Sequence, residues 1–369
     1  MKHKIPFVDP RKNYRMIKEE LDTAYFEVMS KGDLIDRGQL KQFEENLAAF
    51  VGTKYAVGLN SGYDALHVSL RAAGIGIGDE VIVPAHTFVA TASAVVNVGA
   101  RPVLVDVGKD FNLDPKKIEA AVTAKTRGII PVHLSGYMAD MVKIYDIAEK
   151  YHLIVVEDAC QCLGSSMSGR GAGAWGLTGC WSFYPFKILG GYGDGGAITT
   201  DDPDVALFAR RMRYNGEDRE TGEYHGHGFT CLLDNLQAAF LNIKLRHLPA
   251  WIIRRKTIAE RYRQALSDIP DLLLPHYQDP RRDHIYQNYT VRARQGNDFS
   301  EYLKANGVEV LTQFRKPYYR HEALKLEDRG FPETEALSRE VCSLPMNVEI
   351  TDEEVDYVIS VVLAFYGKR

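Results

Sequence analysis

One lysine and one aspartate of this chain are placed where both could act on a single ligand. Lys187 stands between an aromatic segment, 181–186, and a glycine-rich segment, 190–196, while Asp158 ends an apolar run. A lysine held in such a turn can present its amine in a fixed direction. A carboxylate at the end of a strand can bind a protonated ring nitrogen. Together they predict a pyridoxal 5'-phosphate site, in which Lys187 bonds to the cofactor aldehyde and Asp158 pairs with the ring nitrogen.

The elements that must position these groups are short β-branched runs that alternate with helical stretches. Strands are predicted at 55–59, 80–84, 102–106, 128–132, 153–156, 181–184 and 196–199. This alternation is typical of an α/β fold with a mostly parallel sheet covered on both faces. Such sheets bind ligands outside the carboxyl ends of their strands. The groups that fall at those ends are residues 60–62, 86–88, His133 and Asp158.

A phosphate could bind where the first of these strands leads into a helix. Ser61 is a candidate N-cap, and Gly62 lets the backbone approach a ligand closely. Ser182, just before Lys187, could donate its hydroxyl to the same phosphate. The alternative reading of Ser61 and Gly62 is an ordinary capped helix.

The flat ring of the cofactor needs partners on its face and on its edges. Phe88 could stack on the ring, and its alternative is a core phenylalanine. Gln161 could bond the ring hydroxyl. The alternative for Asp158 is a helix N-cap, and the alternative for Lys187 is a surface lysine beside a flexible loop.

Composition excludes several other classes of protein. The chain has 369 residues, 45% hydrophobic and 25% charged, and its formal net charge of -4 gives no reason to expect nucleic acid or an anionic membrane as partner. The start of the sequence carries no secretory signal, and no stretch would span a bilayer, so a cytoplasmic protein is expected. Five scattered cysteines indicate free thiols, and Cys160-x-Cys162 lacks the second pair that a metal site needs.

A match to G-x-G-x-x-G at 171–176 is a decoy. A dinucleotide site needs a strand, this turn and then a helix, and neither flank fits.

The alternation of short strands and helices ends after Asp234. A long helix is predicted from Leu236 to about Leu266, interrupted near Pro249, and a strand is predicted at 284–291. We expect a large domain at 1–249, which includes an N-terminal arm at 1–30, and a small α+β domain at 250–369. The arm is expected to pack near the small domain.

Almost the whole chain resembles the DegT/StrS-type sugar aminotransferases, and the block 157–197 is the most specific part. The residues that carry the resemblance are 5–9, 61–66, 78–84, 87–91, 105–106, 112–115, 130–134, 157–161, 182–187, 193–197, 236–239, 343–346 and 351–354. It implies a fold type I aminotransferase, with a large mostly parallel α/β/α sandwich domain and a smaller C-terminal α+β domain. It also implies a homodimer whose active sites lie between subunits.

The resemblance assigns roles residue by residue. Lys187 would carry the cofactor, Asp158 would pair with the ring nitrogen, and Gln161 with the ring hydroxyl. Phe88 would stack on the ring. The phosphate would be held by Ser61, Gly62, Tyr63 and Ser182, and by Thr230 from the other subunit.

Four positions depart from the family pattern. Tyr63 replaces a threonine, Ile188 replaces an asparagine, Thr230 replaces an asparagine and Leu232 replaces an arginine. These departures indicate an atypical acceptor pocket. The candidates for anion contacts are Arg213, His225, His227, Arg315 and Lys316.

The resemblance further implies transfer of nitrogen, from glutamate, to a keto-sugar of lipopolysaccharide, surface-glycan or antibiotic biosynthesis. The acceptor would be nucleotide-linked, or a free keto-sugar acid such as an 8-oxo octulosonate. The alternatives are a PLP-dependent sugar dehydratase and a PLP-binding regulator. The retained Lys187 favours transamination, and no basic helix-turn-helix segment is left over for a regulator.

Overall fold

The computed structural model of the protein describes residues 4–275, 277 and 279–368, so the first three residues of the predicted arm lie outside it. The helices are α1 (Pro10–Met16), α2 (Lys18–Lys31), α3 (Gly38–Val51), α4 (Gly62–Ala72), α5 (Val89–Asn97), α6 (Pro115–Ile118), α7 (Met141–Tyr151), α8 (Pro203–Met212), α9 (Asn235–Leu266), α10 (Gly296–Ala305), α11 (Pro332–Glu340) and α12 (Asp352–Phe365). The strands are β1 (Tyr55–Leu59), β2 (Glu80–Pro84), β3 (Arg101–Val105), β4 (Thr126–Ile129), β5 (Ile154–Asp158), β6 (Ser166–Met167), β7 (Arg170–Gly171), β8 (Thr178–Ser182), β9 (Gly196–Thr200), β10 (Leu272–Leu273), β11 (Tyr289–Ala293) and β12 (Val341–Leu344).

Seven of these strands form one sheet in the order β1-β9-β8-β5-β4-β2-β3. Strand β9 runs antiparallel to β1 and β8, and the other neighbours are parallel. Ile82 packs into one hydrophobic cluster, while Val81 and Val83 pack into another. Because side chains alternate along a strand, the sheet is buried on both faces. The predicted mostly parallel, doubly covered sheet is confirmed.

This topology brings the candidate site residues to one edge of the sheet. Since β1 and β8 both run antiparallel to β9, they point the same way and end at the same edge. Gly196, the first residue of β9, lies opposite both Leu59 and Ser182 there. Asp158 ends β5 at the same edge, opposite Cys180 of β8.

Two predicted strands end at least two residues earlier in the structure. Strand β4 stops at Ile129 instead of continuing to Val132, because Pro131 has no N–H to give to a ladder. The Pro131 carbonyl still accepts the Asp158 N–H at 2.9 Å, so the chain stays beside β5. Strand β8 ends at Ser182 instead of Tyr184, since the chain turns there toward Lys187.

A second, three-stranded antiparallel sheet has the order β10-β11-β12. The N-terminal arm reaches it, because Ile5 forms a parallel bridge with Val308 and packs in the same hydrophobic cluster. Helix α9 connects the two sheets. Its first half packs in the cluster beneath the large sheet and its second half in that of the small one, and the predicted boundary at 249/250 falls inside it.

The prediction that the long helix is interrupted near Pro249 is wrong, because α9 runs unbroken through that proline. A proline inside a helix costs about 3 kcal/mol. Leu245, Leu248 and Trp251, which flank it, are all buried. Burial of each such side chain contributes about 1.5–3 kcal/mol, which outweighs the missing hydrogen bond.

The predicted strand at 284–291 is also partly wrong, since β11 begins only at Tyr289. Tyr286 adopts a left-handed φ of 52°, which a strand does not allow. The Ile285 N–H donates to the Gly136 carbonyl at 3.0 Å, and the Asn288 N–H donates to the Ser135 carbonyl. Residues 284–288 thus bind the loop after β4 rather than extending a strand.

Candidate functional site

A cavity of about 640 Å³ opens at the carboxyl edge of the large sheet. It brings together eight of the nine residues that the sequence predicts for cofactor binding. They are Ser61, Gly62, Tyr63, Phe88, Asp158, Gln161, Ser182 and Lys187. Residues of the N-terminal arm and of the segment 309–314 line its outer part. The ninth residue, Thr230, does not line this cavity.

Lys187 lies in a turn that its own N–H closes by donating to the Tyr184 carbonyl at 2.8 Å. The next residue, Ile188, is buried in the main hydrophobic cluster and anchors the turn. A Cβ at Gly190 would lie 2.5 Å from the Pro185 carbonyl oxygen, so this position requires glycine. Lys187 therefore belongs to a packed turn that faces the cavity, and the reading as a surface lysine beside a flexible loop does not fit.

The glycine-rich segment after this turn is held by two side chains from α9. Lys244 donates to the Gly190 carbonyl at 2.7 Å, and burial lowers the pKa of its amine to about 8. The Gln237 Oε1 accepts the Tyr192 N–H at 2.8 Å. Neither residue was predicted to act here, because their contacts depend on how α9 packs.

Asp158 is buried at the end of β5, and its carboxylate points into the cavity region. Its Oδ2 accepts a hydrogen bond from the Thr91 hydroxyl at 2.8 Å, and the Thr91 and Thr87 hydroxyl oxygens are 3.1 Å apart. Its Oδ1 accepts the Cys160 N–H at 3.3 Å. No helix follows Asp158, so the alternative reading as a helix N-cap is wrong. Thr91 was not predicted, because its contact with Asp158 depends on how α5 packs beside β5.

The turn from β1 into α4 is built for close approach of a ligand. Ser61 caps α4 by accepting the Asp64 N–H at 3.0 Å. The amides of Gly62 and Tyr63 are the first two of the helix, which have no acceptor within it. A Cβ at Gly62 would lie 2.8 Å from both the Cys160 Sγ and the Ser182 Cβ. Amides at the helix start, the positive end of the helix dipole and a missing side chain fit a phosphate group.

The part of Tyr63 that could bind a phosphate is its backbone amide and not its ring hydroxyl. That hydroxyl accepts from the Asn97 amide at 2.6 Å and lies 3.4 Å from His67 Nδ1. The side chain thus contacts Asn97 of α5 and His67 of its own helix, while its amide remains at the helix start.

Gln161 and Phe88 both line the cavity. The Gln161 Oε1 accepts the Ser135 N–H at 2.9 Å, so the amide nitrogen is the end left to donate to a ring oxygen. Phe88 is 59% exposed, which rules out the alternative reading as a core phenylalanine. An exposed aromatic at the cavity can stack on a heterocycle.

The five candidates for anion contacts do not line the cavity. Arg213 is buried in an ion pair with Glu44 and donates to the Gly58 carbonyl at 2.9 Å. Arg315 donates to the Ser300 hydroxyl at 2.6 Å. Thr230 is exposed, and its hydroxyl donates to Asn215 Oδ1 at 3.1 Å.

The charge of the cavity is unbalanced. Among the described residues that line it, Lys187 is the only basic side chain, whereas Asp158, Asp194 and Glu309 are acidic. A bound phosphate and the carboxylates of an amino acid would all lack a cation here.

The G-x-G-x-x-G decoy proves to wrap an internal carboxylate. The amides of Gly173, Trp175 and Gly176 donate to Glu157 at 2.6–3.0 Å. His133 also contacts Glu157 through Nε2 at 2.9 Å, while its Nδ1 accepts the Ala139 N–H. His133 therefore has a structural contact on both ring nitrogens, and the amides of this loop are already used by the Glu157 carboxylate.

Within residues 4–275, 277 and 279–368, no group of three or more His, Cys, Asp or Glu side chains is placed to hold a metal ion. All five cysteines are free thiols. No helix in these ranges is both long and apolar enough to cross a lipid bilayer.

Comparison with known proteins gives consistent results. Residues 15–363 match the model of the DegT/DnrJ/EryC1/StrS aminotransferase family. A protein of Geobacillus stearothermophilus, named as a pleiotropic regulatory protein, is 37% identical over 98% of both chains. The dTDP-3-amino-3,4,6-trideoxy-alpha-D-glucose transaminase of Streptomyces venezuelae is 38% identical over 97% of this chain and 95% of its own length.

A solved structure agrees with the cofactor that the site fits. The structure of ntda from Bacillus subtilis with bound cofactor PMP is 30% identical, with a TM-score of 0.91 over 100% of this chain and 86% of its own. The cofactor is pyridoxal 5'-phosphate, and the fold is that of its fold type I aminotransferase relatives. The chain belongs to the DegT/DnrJ/EryC1/StrS aminotransferase family and is a sugar aminotransferase.

Proposed function

We propose that the enzyme transfers an amino group from L-glutamate to a keto-sugar carried on a nucleotide. The product would enter lipopolysaccharide, surface-glycan or antibiotic sugar biosynthesis. The observation that carries this proposal is that Lys187 and Asp158 line one cavity together with a phosphate-binding turn. The Streptomyces relative, whose name specifies a dTDP-linked amino sugar, supports the choice of acceptor class.

Each of the eight predicted residues that line the cavity then has a role. Asp158 binds the ring nitrogen, Gln161 the ring hydroxyl, and Phe88 covers the ring face. Ser182, Ser61 and the amides of 62 and 63 hold the phosphate. When bound, the cofactor supplies an electron sink that stabilises negative charge on carbon. Lys187 supplies the mobile proton, since its amine can serve first as a general base and then as a general acid.

We place the sugar in the outer part of the cavity, between the N-terminal arm and the segment 309–314. Phe7 and Val8 line one side, and Glu309 and Gln313 line the other. The Phe7 N–H donates to Glu309 Oε2 at 2.8 Å, which joins the two walls. Apolar walls with a few polar groups suit the faces and hydroxyls of a sugar.

We further propose that the enzyme is a cytoplasmic homodimer with shared active sites. The shortage of cations in the cavity calls for groups from a second copy. Large apolar side chains are exposed around its mouth: Phe88 at 59%, Tyr184 at 49% and Phe186 at 51%. Such exposed patches mark protein interfaces. Thr230, exposed and outside its own cavity, would reach the phosphate of the neighbouring subunit.

The test is a two-stage assay on the purified protein. Loaded protein is first mixed with L-glutamate, and release of 2-oxoglutarate is measured. The aminated form is then offered a panel of nucleotide-linked keto-sugars and free keto-sugar acids, and products are read by mass spectrometry. Lys187→Ala should abolish both half-reactions. Turnover that survives this substitution would contradict the assigned role of the lysine.

The same assay distinguishes an aminotransferase from the alternative, a PLP-dependent sugar dehydratase. An aminotransferase incorporates ¹⁵N from labelled glutamate into the sugar, whereas a dehydratase gives a deoxy product without nitrogen. Amination of a free sugar acid alone would overturn the nucleotide-linked acceptor but not the aminotransferase activity.

A further inference from the structure

The side chain of Gln287 bridges the two peptide groups that flank Lys187. Its Nε2 donates to the Phe186 carbonyl at 3.0 Å, and its Oε1 accepts the Ile188 N–H at 2.6 Å. Both ends of one amide are therefore used on either side of a single residue. Gln287 also lines the cavity and is only 5% exposed.

The backbone at Gln287 is itself held in place by neighbouring residues. Arg255, which is buried, donates from Nη1 to the carbonyls of Tyr286 at 2.9 Å and Gln287 at 3.1 Å. A Cβ at Gly136 would lie 2.5 Å from the Gln287 nitrogen, so the chain passes as close to this loop as glycine allows. These contacts fix the place from which the side chain reaches the lysine turn.

The lysine turn is anchored on its inner side by Ile188, but its outer side is less firmly held. The backbone bond from Lys187 to Tyr184 closes the turn, but Phe186 on its outer side is 51% exposed. Rotation of either flanking peptide would swing the whole lysine side chain. A shift of about 1 Å in a catalytic group can lower a rate roughly 10²-fold.

We propose that Gln287 is a positioning residue for Lys187, and this inference rests on the proposed function of that lysine. By holding the peptides before and after it, Gln287 sets the direction from which the amine meets the cofactor and the donor carbon. The same segment also supports Gln161, because the Asn288 N–H donates to the Ser135 carbonyl and Ser135 donates to Gln161. One irregular segment of the chain thus aligns two sides of the site.

The first test uses the cofactor-free protein and measures hydrogen exchange of the segment 183–191. Gln287→Met keeps the volume but loses both hydrogen bonds, so the Ile188 amide should exchange about tenfold faster. Gln287→Glu keeps the acceptor for the Ile188 N–H but cannot donate to the Phe186 carbonyl. The Ile188 amide should therefore stay protected from exchange. Unchanged exchange in the Gln287→Met protein would overturn the proposed bridge.

The second test measures turnover and its relation to folding. Gln287→Met should lower kcat roughly tenfold to hundredfold with little change in KM for the donor. Gln287→Glu should also lower kcat, because the bond to Phe186 is lost. The matched control is Asn242→Leu, which removes a buried amide that donates to the Gln39 carbonyl at 2.9 Å away from the cavity. It should lower thermal stability and leave kcat unchanged.

Borohydride labelling with pyridoxal phosphate distinguishes failure of the proposed function from failure of this inference alone. Wild-type protein without a pyridoxyl group on Lys187 would overturn the proposed function and this inference together. Labelled wild-type protein, with Gln287→Met losing no more turnover than Asn242→Leu at equal stability, would overturn the inference alone.

Discussion

The hydroxyl of Thr91 donates a hydrogen bond of 2.8 Å to Oδ2 of Asp158, the carboxylate assigned to the cofactor ring nitrogen. Because Thr91 gives its proton to Asp158, the hydroxyl of Thr87, 3.1 Å away, is the donor to Thr91. This chain of hydroxyl groups fixes the orientation of a buried carboxylate. Hydrogen bonds to charged groups contribute about 1.5–3 kcal/mol.

Thr91→Val, which keeps the shape but removes the donor, should therefore weaken cofactor binding about tenfold. A fluorescence titration of the cofactor-free protein with pyridoxal phosphate measures this. Thr91→Ser retains the donor and should bind nearly as well as the wild type. Equal affinities for the valine and serine variants would show that the hydroxyl does not position Asp158.

Gly62→Ala should damage the turn that we propose to bind the cofactor phosphate. The new Cβ would lie 2.8 Å from the Cys160 Sγ and the Ser182 Cβ, closer than van der Waals contact allows. The turn must then move away from the cavity, and affinity for pyridoxal phosphate should fall about tenfold or more, as for a lost charged hydrogen bond. Gly38→Ala is the matched control, because no atom lies within 4 Å of its added Cβ. Cofactor retained equally by both variants would argue against a phosphate at Gly62.

The sequence predicted the central residues of the site because their signals are local. Asp158 follows an apolar run, and Lys187 lies beside glycines within a few residues. The parallel sheet then brings such strand ends together without further information. The residues that orient these two groups were missed. Thr91 lies 67 residues from Asp158, and Gln287 lies 101 residues from Phe186. Such contacts depend on packing between elements, and no short pattern encodes them.

The two wrong element predictions have the same origin. In both places tertiary contacts override the local sequence preference. At Pro249, buried neighbours compensate for the missing helical hydrogen bond. At 284–288, hydrogen bonds to the loop after β4 compensate for the lost strand pairing. The polar alternation of 284–288 resembles a strand, yet its amides and the Gln287 side chain bind loops of the large sheet.

Glu157→Gln should destabilise the fold. The Glu157 carboxylate accepts three backbone N–H groups, and its Oε2 lies 2.9 Å from His133 Nε2. A glutamine would turn an NH2 group toward some of these donors, and each buried donor left without an acceptor costs about 1–3 kcal/mol. We expect the free energy of unfolding of the cofactor-free protein to fall by roughly 3 kcal/mol. Urea denaturation measures it, with the exposed Glu149→Gln as control, and an unchanged midpoint for Glu157→Gln would refute the structural role.

His86→Leu should change how stability depends on pH. Burial lowers the pKa of the His86 imidazole from 6.5 to about 4, against a weaker opposite effect of Asp106. Its ring packs against Phe314, with ring centroids 5.3 Å apart, and its buried Nδ1 has no hydrogen-bond partner among residues 4–275, 277 and 279–368. The native site therefore favours the neutral ring.

The sign of the effect follows from proton binding. Between pH 6.5 and 4 the unfolded chain binds a proton at His86 that the folded chain does not, so stability falls as the pH falls. One pH unit in this window corresponds to about 1.4 kcal/mol. From pH 7.5 to 4.5 the wild type should lose roughly 2–3 kcal/mol more than His86→Leu. Urea denaturation of the cofactor-free proteins at fixed concentration measures both losses. An equal loss in the two proteins would mean that His86 takes up its proton in the folded state as readily as in the unfolded chain.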